Sequence, residues 1–332
     1  MNRSIVIVAL LSFSAVAAAI ACGEDTAPIS DGTSSSGSSS GRSSSSGTAS
    51  SSGNGSSGTG SSGGSSGTSG TSSSGGTNDG GKDASGDSGP ATSHIVISEV
   101  GVAPAGGEFV EIWNPTAQAV DLTQYYLSDN ALYHGIAADA AFNPPIATGG
   151  TDFLAKFPNG TMLAAGATIV VATDAVAFYA KWTKCPDFVL KTADVACTVG
   201  NAKAMVVPTN GAIGASVGFS NDREMLVIFK WDGAAATVKD VDYVTWGGQF
   251  DAETRIDKTG IAGYVADTKP DAQSPAPAPG NFLSIERCSK SEQGEKKTGG
   301  NGIDGHDETS EPFGSNFVIQ QTPTPGVKNT CL

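Results

Sequence analysis

Glu108-Phe109-Val110-Glu111-Ile112-Trp113-Asn114-Pro115 is the segment on which the fold turns. Side chains alternate across a strand, so Val110 and Ile112 share one face and Phe109, Glu111 and Trp113 the other. Asn114-Pro115 ends the run, because proline brings no N–H to a ladder. Working outward, His94 to Val100 is a short apolar run rich in β-branched residues. Val120-Asp121-Leu122 leads into Tyr125-Tyr126-Leu127, which stops at Ser128-Asp129-Asn130. Thr168 to Ala172 is a continuous apolar run, the pattern of a strand covered on both sides. Glu224 to Trp231 places Met225, Val227, Phe229 and Trp231 on one face, Asp232-Gly233 turns the chain, and Val238 to Trp246 resumes. Leu283 to Ile285 and Phe317 to Ile319 are shorter candidates. Many short strands separated by Gly, Pro and Asn predict an all-β antiparallel sandwich with loop and short-helix insertions.

One helix is expected. Ala175, Phe178, Tyr179 and Trp182 fall at i, i+3, i+4 and i+7 behind Asp174, a suitable N-cap. This face is expected to pack across an open end of the sandwich, in preference to forming an aromatic binding platform. Pro270 to Pro279 and Asn301 to Glu311 are predicted as surface loops.

These segments, in this order, resemble the lamin-tail domain, an immunoglobulin-like β-sandwich. The residues that carry the resemblance are Ile97-Ser98-Glu99-Val100, Glu108 to Pro115, and Val120-Asp121-Leu122 with Leu127-Ser128-Asp129. It continues through Leu163 to Ala167, Phe219 to Asp222, Val241 to Val244, Ser284 to Arg287, and Pro323-Thr324-Pro325-Gly326 with Asn329. The match runs over most of 94–332, interrupted by insertions at about 130–160, 175–215 and 248–280. The resemblance implies an immunoglobulin-like fold and an exported or binding context. It carries over no active-site residue.

The N-terminus reads as an export signal. Arg3 precedes an apolar run from Ile5 to Ala21, and Ala19-Ile20-Ala21-Cys22 resembles a bacterial lipobox. Residues 1–21 are therefore expected to be removed and Cys22 to be acylated. An ordinary cleaved signal with a free Cys22, or an uncleaved anchor, are the alternatives. Gly23 after the cysteine points to the outer membrane by analogy with lipoprotein sorting. Residues 22–93 follow as a Ser/Gly-rich tether, almost wholly Ser, Gly and Thr from Thr33 to Gly76, a composition with too little apolar surface to bury that predicts a disordered linker. Asp79, Asp83 and Asp87 within it read as solvating charge, because a calcium loop needs alternate positions and a closing Glu.

The chain has 332 residues, 44 of them Gly, and a formal net charge of −14. Residues 1–93 hold three basic and six acidic groups, which leaves 16 basic and 27 acidic on 94–332, a net of −11. An acidic domain repels phosphate backbones, so no nucleic-acid partner is expected. His94, His134 and His306 are read as scattered surface histidines. No His-x-x-x-His pair occurs. Glu99, Glu108 and Glu111 form the nearest carboxylate cluster and are read as strand-edge charge. Asp304, Asp307, Glu308 and Glu311 are read as a solvated acidic loop, with Ca²⁺ as the other reading. The expectation is no catalytic residue, no metal site and no cofactor.

Five cysteines are present. With Cys22 lipidated, four remain in an oxidising compartment, where three pairings are possible. Cys185–Cys197 closes a short insertion after the helix, and Cys288–Cys331 ties the end of the chain to the strand near Ile285. This pairing is the expected one.

The sequence predicts a membrane-anchored cell-envelope lipoprotein displaying a binding or adhesion domain without catalysis. Its partner is an envelope or extracellular protein or glycan. The alternatives are a secreted hydrolase of the phosphoesterase or nuclease kind, and a carbohydrate-binding module built on Trp113, Trp182, Trp231 and Trp246. Exposure of an indole discriminates the last of these.

Overall fold

The computed structural model describes residues 89–102, 107–138, 150–191, 197, 200–248, 254–329 and 331–332. The signal-like run, Cys22 and the tether up to residue 88 lie outside the described residues. Among the described residues no helix is long and apolar enough to cross a membrane.

The first half contributes β1 (Val96–Gly101), β2 (Phe109–Trp113), β3 (Val120–Asp121), β4 (Tyr125–Ser128), α1 (Gly135–Ala138), β5 (Phe153–Lys156), β6 (Met162–Leu163), β7 (Thr168–Ala172) and α2 (Ala175–Trp182). The second half adds β8 (Phe188–Val189), β9 (Lys203–Ala204), β10 (Ala212–Ile213), β11 (Glu224–Lys230), β12 (Lys239–Trp246), β13 (Ser284–Arg287), α3 (Phe313–Asn316) and β14 (Phe317–Gln320). One sheet runs β14-β13-β1-β2-β7-β8-β9, the other β10-β5-β4-β11-β12, and β3 pairs with β6 apart from both.

The main core forms where the inner faces meet. Ile97, Val110, Ile112, Ile169 and Val171 come from the first sheet, and Leu127, Leu154, Val227 and Phe229 from the second. The alternation expected for β2 is present, since Val110 and Ile112 face this core while Phe109 turns the other way. β7 is covered on both sides, as its unbroken apolar run predicts. Ile169 and Val171 face the main core, while Val170 and Ala172 lie under α2. In β11, Met225 to Phe229 are all buried, so this central strand is covered on both faces and not on one.

The expected antiparallel sandwich is present, and β7–β8 and β8–β9 depart from it by pairing in parallel. For β7–β8 the cause is α2, whose crossover returns the chain in the direction of β7. One expectation is corrected: α2 does not cap an open end of the sandwich. Phe178 and Trp182 meet the Phe109 ring edge-on at 5.9 and 5.8 Å on the outer face of the first sheet. The helix begins as read: Asp174 accepts from the Ala177 amide at 3.0 Å. It ends at Thr183, whose φ is +54° and whose amide donates to Tyr179 O at 2.8 Å.

The closing segment explains why Glu99 and Glu111 belong inside. The Gly326 amide donates to Glu111 Oε2 at 2.7 Å, and the Thr324 amide to Glu99 Oε1 at 3.1 Å. Ser98 and Ser284 hydroxyls donate to the same two carboxylates at 2.6 and 2.5 Å. Asn329 Nδ2 donates to Ser98 O at 2.8 Å. The Pro323 to Asn329 signature is thus a strap over β1 and β2, held by buried acceptors. Disulfides join Cys185 to Cys197 and Cys288 to Cys331, with Cα atoms 5.7 and 5.0 Å apart.

Candidate functional site

Charge that the sequence assigns to the surface is gathered inside, at the end of the sandwich where β1, β12 and β13 meet the 288–311 loop. Arg287, at the last position of β13, is fully buried. Its guanidinium donates to Glu311 Oε1 at 2.6 Å, Asp242 Oδ1 at 2.7 Å and Ile97 O at 2.9 Å. Although burial opposes the charge, Asp242 and Glu311 raise the Arg287 pKa above its usual value.

The loop then folds back on itself. Lys296 and Asp307 form a bridge, Gly302 N donates to His306 O, and Gly299 and Gly305 turn with φ near +80°. This return sets His306 and Glu308 opposite Glu292 and Glu295. His94 completes the group from the strand side: its Nε2 lies 3.2 Å from Glu292 Oε1, and its Nδ1 lies 3.0 Å from the Thr92 hydroxyl. The His94 and His306 rings meet edge-on at 5.9 Å. Glu292 is a non-glycine residue at φ +51°, a conformation that costs about 1–2 kcal/mol.

These groups do not share one protonation behaviour. Burial opposes ionisation of Glu292, yet the hydrogen bond and charge of His94, with Arg287 and Lys297, hold it well below the usual carboxylate range. Burial and then the neighbouring Glu292 push Glu295 up to about 8. Burial, Glu292 and Glu295 push Glu308 well above its ordinary value. Burial and the Lys297 charge depress His306. His94, Glu292 and His306 each bring a ligand-type atom within 4.8 Å of the others, and so do Glu295, His306 and Glu308.

Three readings are corrected here. The histidines are not scattered surface residues. His94 and His134 are buried and His306 is half-buried, and His94 and His306 converge. Glu99, Glu108 and Glu111 are not strand-edge charges, because each is at most 6% exposed. The 301–311 loop is not a solvated acidic loop: Asp307, Glu308 and Glu311 are buried, and only Asp304 of the four carboxylates stays exposed. The spacing of Glu292, Glu295, His306, Glu308 and Glu311 matches no standard motif, and His94 joins them from 198 positions away. Cys22 lies outside the described residues.

A second feature lies at Glu108. A cleft of about 470 Å³ is lined by Glu108, Thr173, Lys191, Gly218, Phe219 and Glu224. A second of about 330 Å³ shares Glu224 with it and is lined by Asp129, Asp152 and Asp222. Burial pushes Glu108 up to about 7, opposed by a hydrogen bond from the Phe219 amide at 3.2 Å. The tryptophans do not form a platform. Trp113 and Trp246 are buried, and Trp182 and Trp231 are half-buried, with their Nε1 atoms donating to Gly107 O and Ala235 O.

Residues 88–248 match the family model of the Lamin Tail Domain. The chain is also similar to a solved DUF4876 family protein from Bacteroides thetaiotaomicron VPI-5482, with 15% identity, a TM-score of 0.35 and 72% of each chain covered. No curated protein matches it.

Proposed function

We propose, on the premise that residues 88–248 are a lamin tail domain, that this chain displays an immunoglobulin-like binding domain at the cell envelope. The single observation that carries the reading is that family match, to a domain of binding type and of no known enzyme family. The anchor is Cys22, acylated after removal of residues 1–21, and the Ser/Gly tether holds the domain away from the outer membrane. The partner is a protein or glycan of the envelope or its surroundings. The net charge of −11 favours a basic or neutral partner and disfavours nucleic acid. The paired clefts, carrying Asp129, Asp152, Asp222 and Glu224, are the surface such a partner engages. Burial of Trp113 and Trp246, and the half-burial of Trp182 and Trp231, weaken the support for a carbohydrate platform.

The test separates anchor from partner. Fractionation of cells expressing wild type and Cys22→Ser should place the first in the membrane fraction and the second in the soluble or precursor pool. Equal membrane partition of both overturns the lipid anchor. Crosslinking on intact cells should capture a partner whose yield falls with salt and with Asp222→Lys. Turnover of a phosphoester, ester or glycoside by purified protein, lost on Glu108→Gln, overturns the binding reading in favour of the hydrolase.

A further inference from the structure

We propose that Glu295, His306 and Glu308 hold one divalent transition-metal ion of the zinc or manganese class, a site independent of the display role. Each of the three offers a buried polar atom without a hydrogen-bond partner: Glu295 Oε1, His306 Nδ1 and Glu308 Oε1. The side chain of Glu295 is 0% exposed, and Glu308 as a residue is 2% exposed. A buried polar atom left unmatched costs about 1–3 kcal/mol, so three together at one point call for a ligand. The three lie within 4.8 Å of one another, a span that a small closure of the loop brings to metal-ligand geometry.

Charge gives the same answer by a separate route. Asp242, Glu292, Glu295, Glu308 and Glu311 are all buried here. Arg287 pairs with Asp242 and Glu311, and Lys297 with Glu292 and Glu295. Arg287, Lys297 and His94 face five carboxylates, and Glu308 is the one with no ion pair among the described residues. Buried carboxylates ionise only when paired or bound to a metal, and a divalent ion supplies the counter-charge that Glu308 lacks. The backbone leaves room beside the ligands. A Cβ added at Gly302 would come within 2.6 Å of Glu308 Oε1 and 2.9 Å of His306 O. Imidazole with two carboxylates suits zinc, manganese or iron, whereas calcium and magnesium prefer oxygen alone. His94 and Glu292 flank the site as a hydrogen-bonded pair, and Lys297 orients Glu295.

The test uses the full mature chain, purified, stripped with a chelator and dialysed. Metal content by mass spectrometry after incubation with Zn²⁺ or Mn²⁺ should approach one equivalent, and the melting temperature should rise by about 4 °C or more. Glu308→Gln keeps the shape of the side chain and should weaken binding at least about 100-fold. Asp304→Asn, which changes an exposed carboxylate nearby, should leave uptake unchanged. If Glu308→Gln fails to fold, the stripped wild type still reports through its melting temperature. Absence of uptake and of any thermal shift with both ions overturns the proposal. Uptake of Ca²⁺ or Mg²⁺ alone overturns the ligand set, and full uptake by Glu308→Gln overturns the assignment to these residues.

Discussion

Glu111 is fully buried and has its carboxyl pushed up to about 7 by burial, reinforced by the charge of Glu99 and opposed by the hydrogen bonds it accepts from Ser98 and Gly326. Its folded-state value therefore lies above the ordinary 4.5. Between the two values the folded chain holds more protons than the unfolded one, so stability is greatest below about 4.5 and falls as pH rises towards 7. The loss attributable to this one group is at most about 3 kcal/mol. Glu111→Gln should flatten part of that slope, read by urea denaturation at several pH values; an unchanged slope contradicts the buried-acid account. Arg287 makes the opposite case. Arg287→Met strands Asp242 and Glu311 as buried charges and should cost about 3–5 kcal/mol by the same assay. A loss under about 1 kcal/mol would mean the two carboxylates are not held as ions. The sequence marks Arg287 as part of a signature but not its role, because its partners sit 45 and 24 positions away.

At the scale of elements, apolar runs made the main strands legible: β1, β2, β7, β11 and β12 lie where those runs place them. The two-residue strands β8, β9 and β10 carry no periodicity to detect. The parallel pairing of β8 depends on where α2 docks, which depends in turn on Phe109 facing outward. The closing strap was legible as a motif, and its physical reason is the pair of buried acceptors beneath it. Gly326 sits there at φ +72°, and a Cβ would find Lys184 Nζ and Val170 Cγ2 no closer than 3.6 Å. Gly326→Ala should therefore lose only the backbone term, about 1–2 kcal/mol. Gly101→Ala should lose more, since its Cβ would stand 2.1 Å from the Phe109 ring. Thermal melts of the two variants should rank in that order, and the reverse order contradicts the packing of Phe109 against β1.

At the scale of the whole molecule, the candidate site was hidden because sequence records where charges occur and not what closes over them. The 288–311 loop is polar and rich in glycine, the composition of a solvated turn, yet β1, β12 and β13 bury most of its carboxylates. The loop's place is fixed at its base by Cys288–Cys331, which spans 43 positions and ties the chain end to β13. Cys185–Cys197 spans 12 positions and closes only the insertion after α2. Loop entropy then assigns about 4 kcal/mol to the longer link and about 3 kcal/mol to the shorter. The positions differ more than the sizes. Cys288 follows Arg287 directly, and Asn329 donates to Arg287 O at 3.2 Å, so the longer link braces the ionic cluster from behind. Replacing Cys288 and Cys331 with Ser should lower stability by about 4 kcal/mol and speed amide exchange across both 288–311 and 323–329. Replacing Cys185 and Cys197 should cost about 3 kcal/mol and leave exchange in those two segments unchanged. Hydrogen exchange that rises equally in both variants would mean that the strap and the loop are held by the sandwich alone, and that the terminal disulfide contributes nothing local to the site.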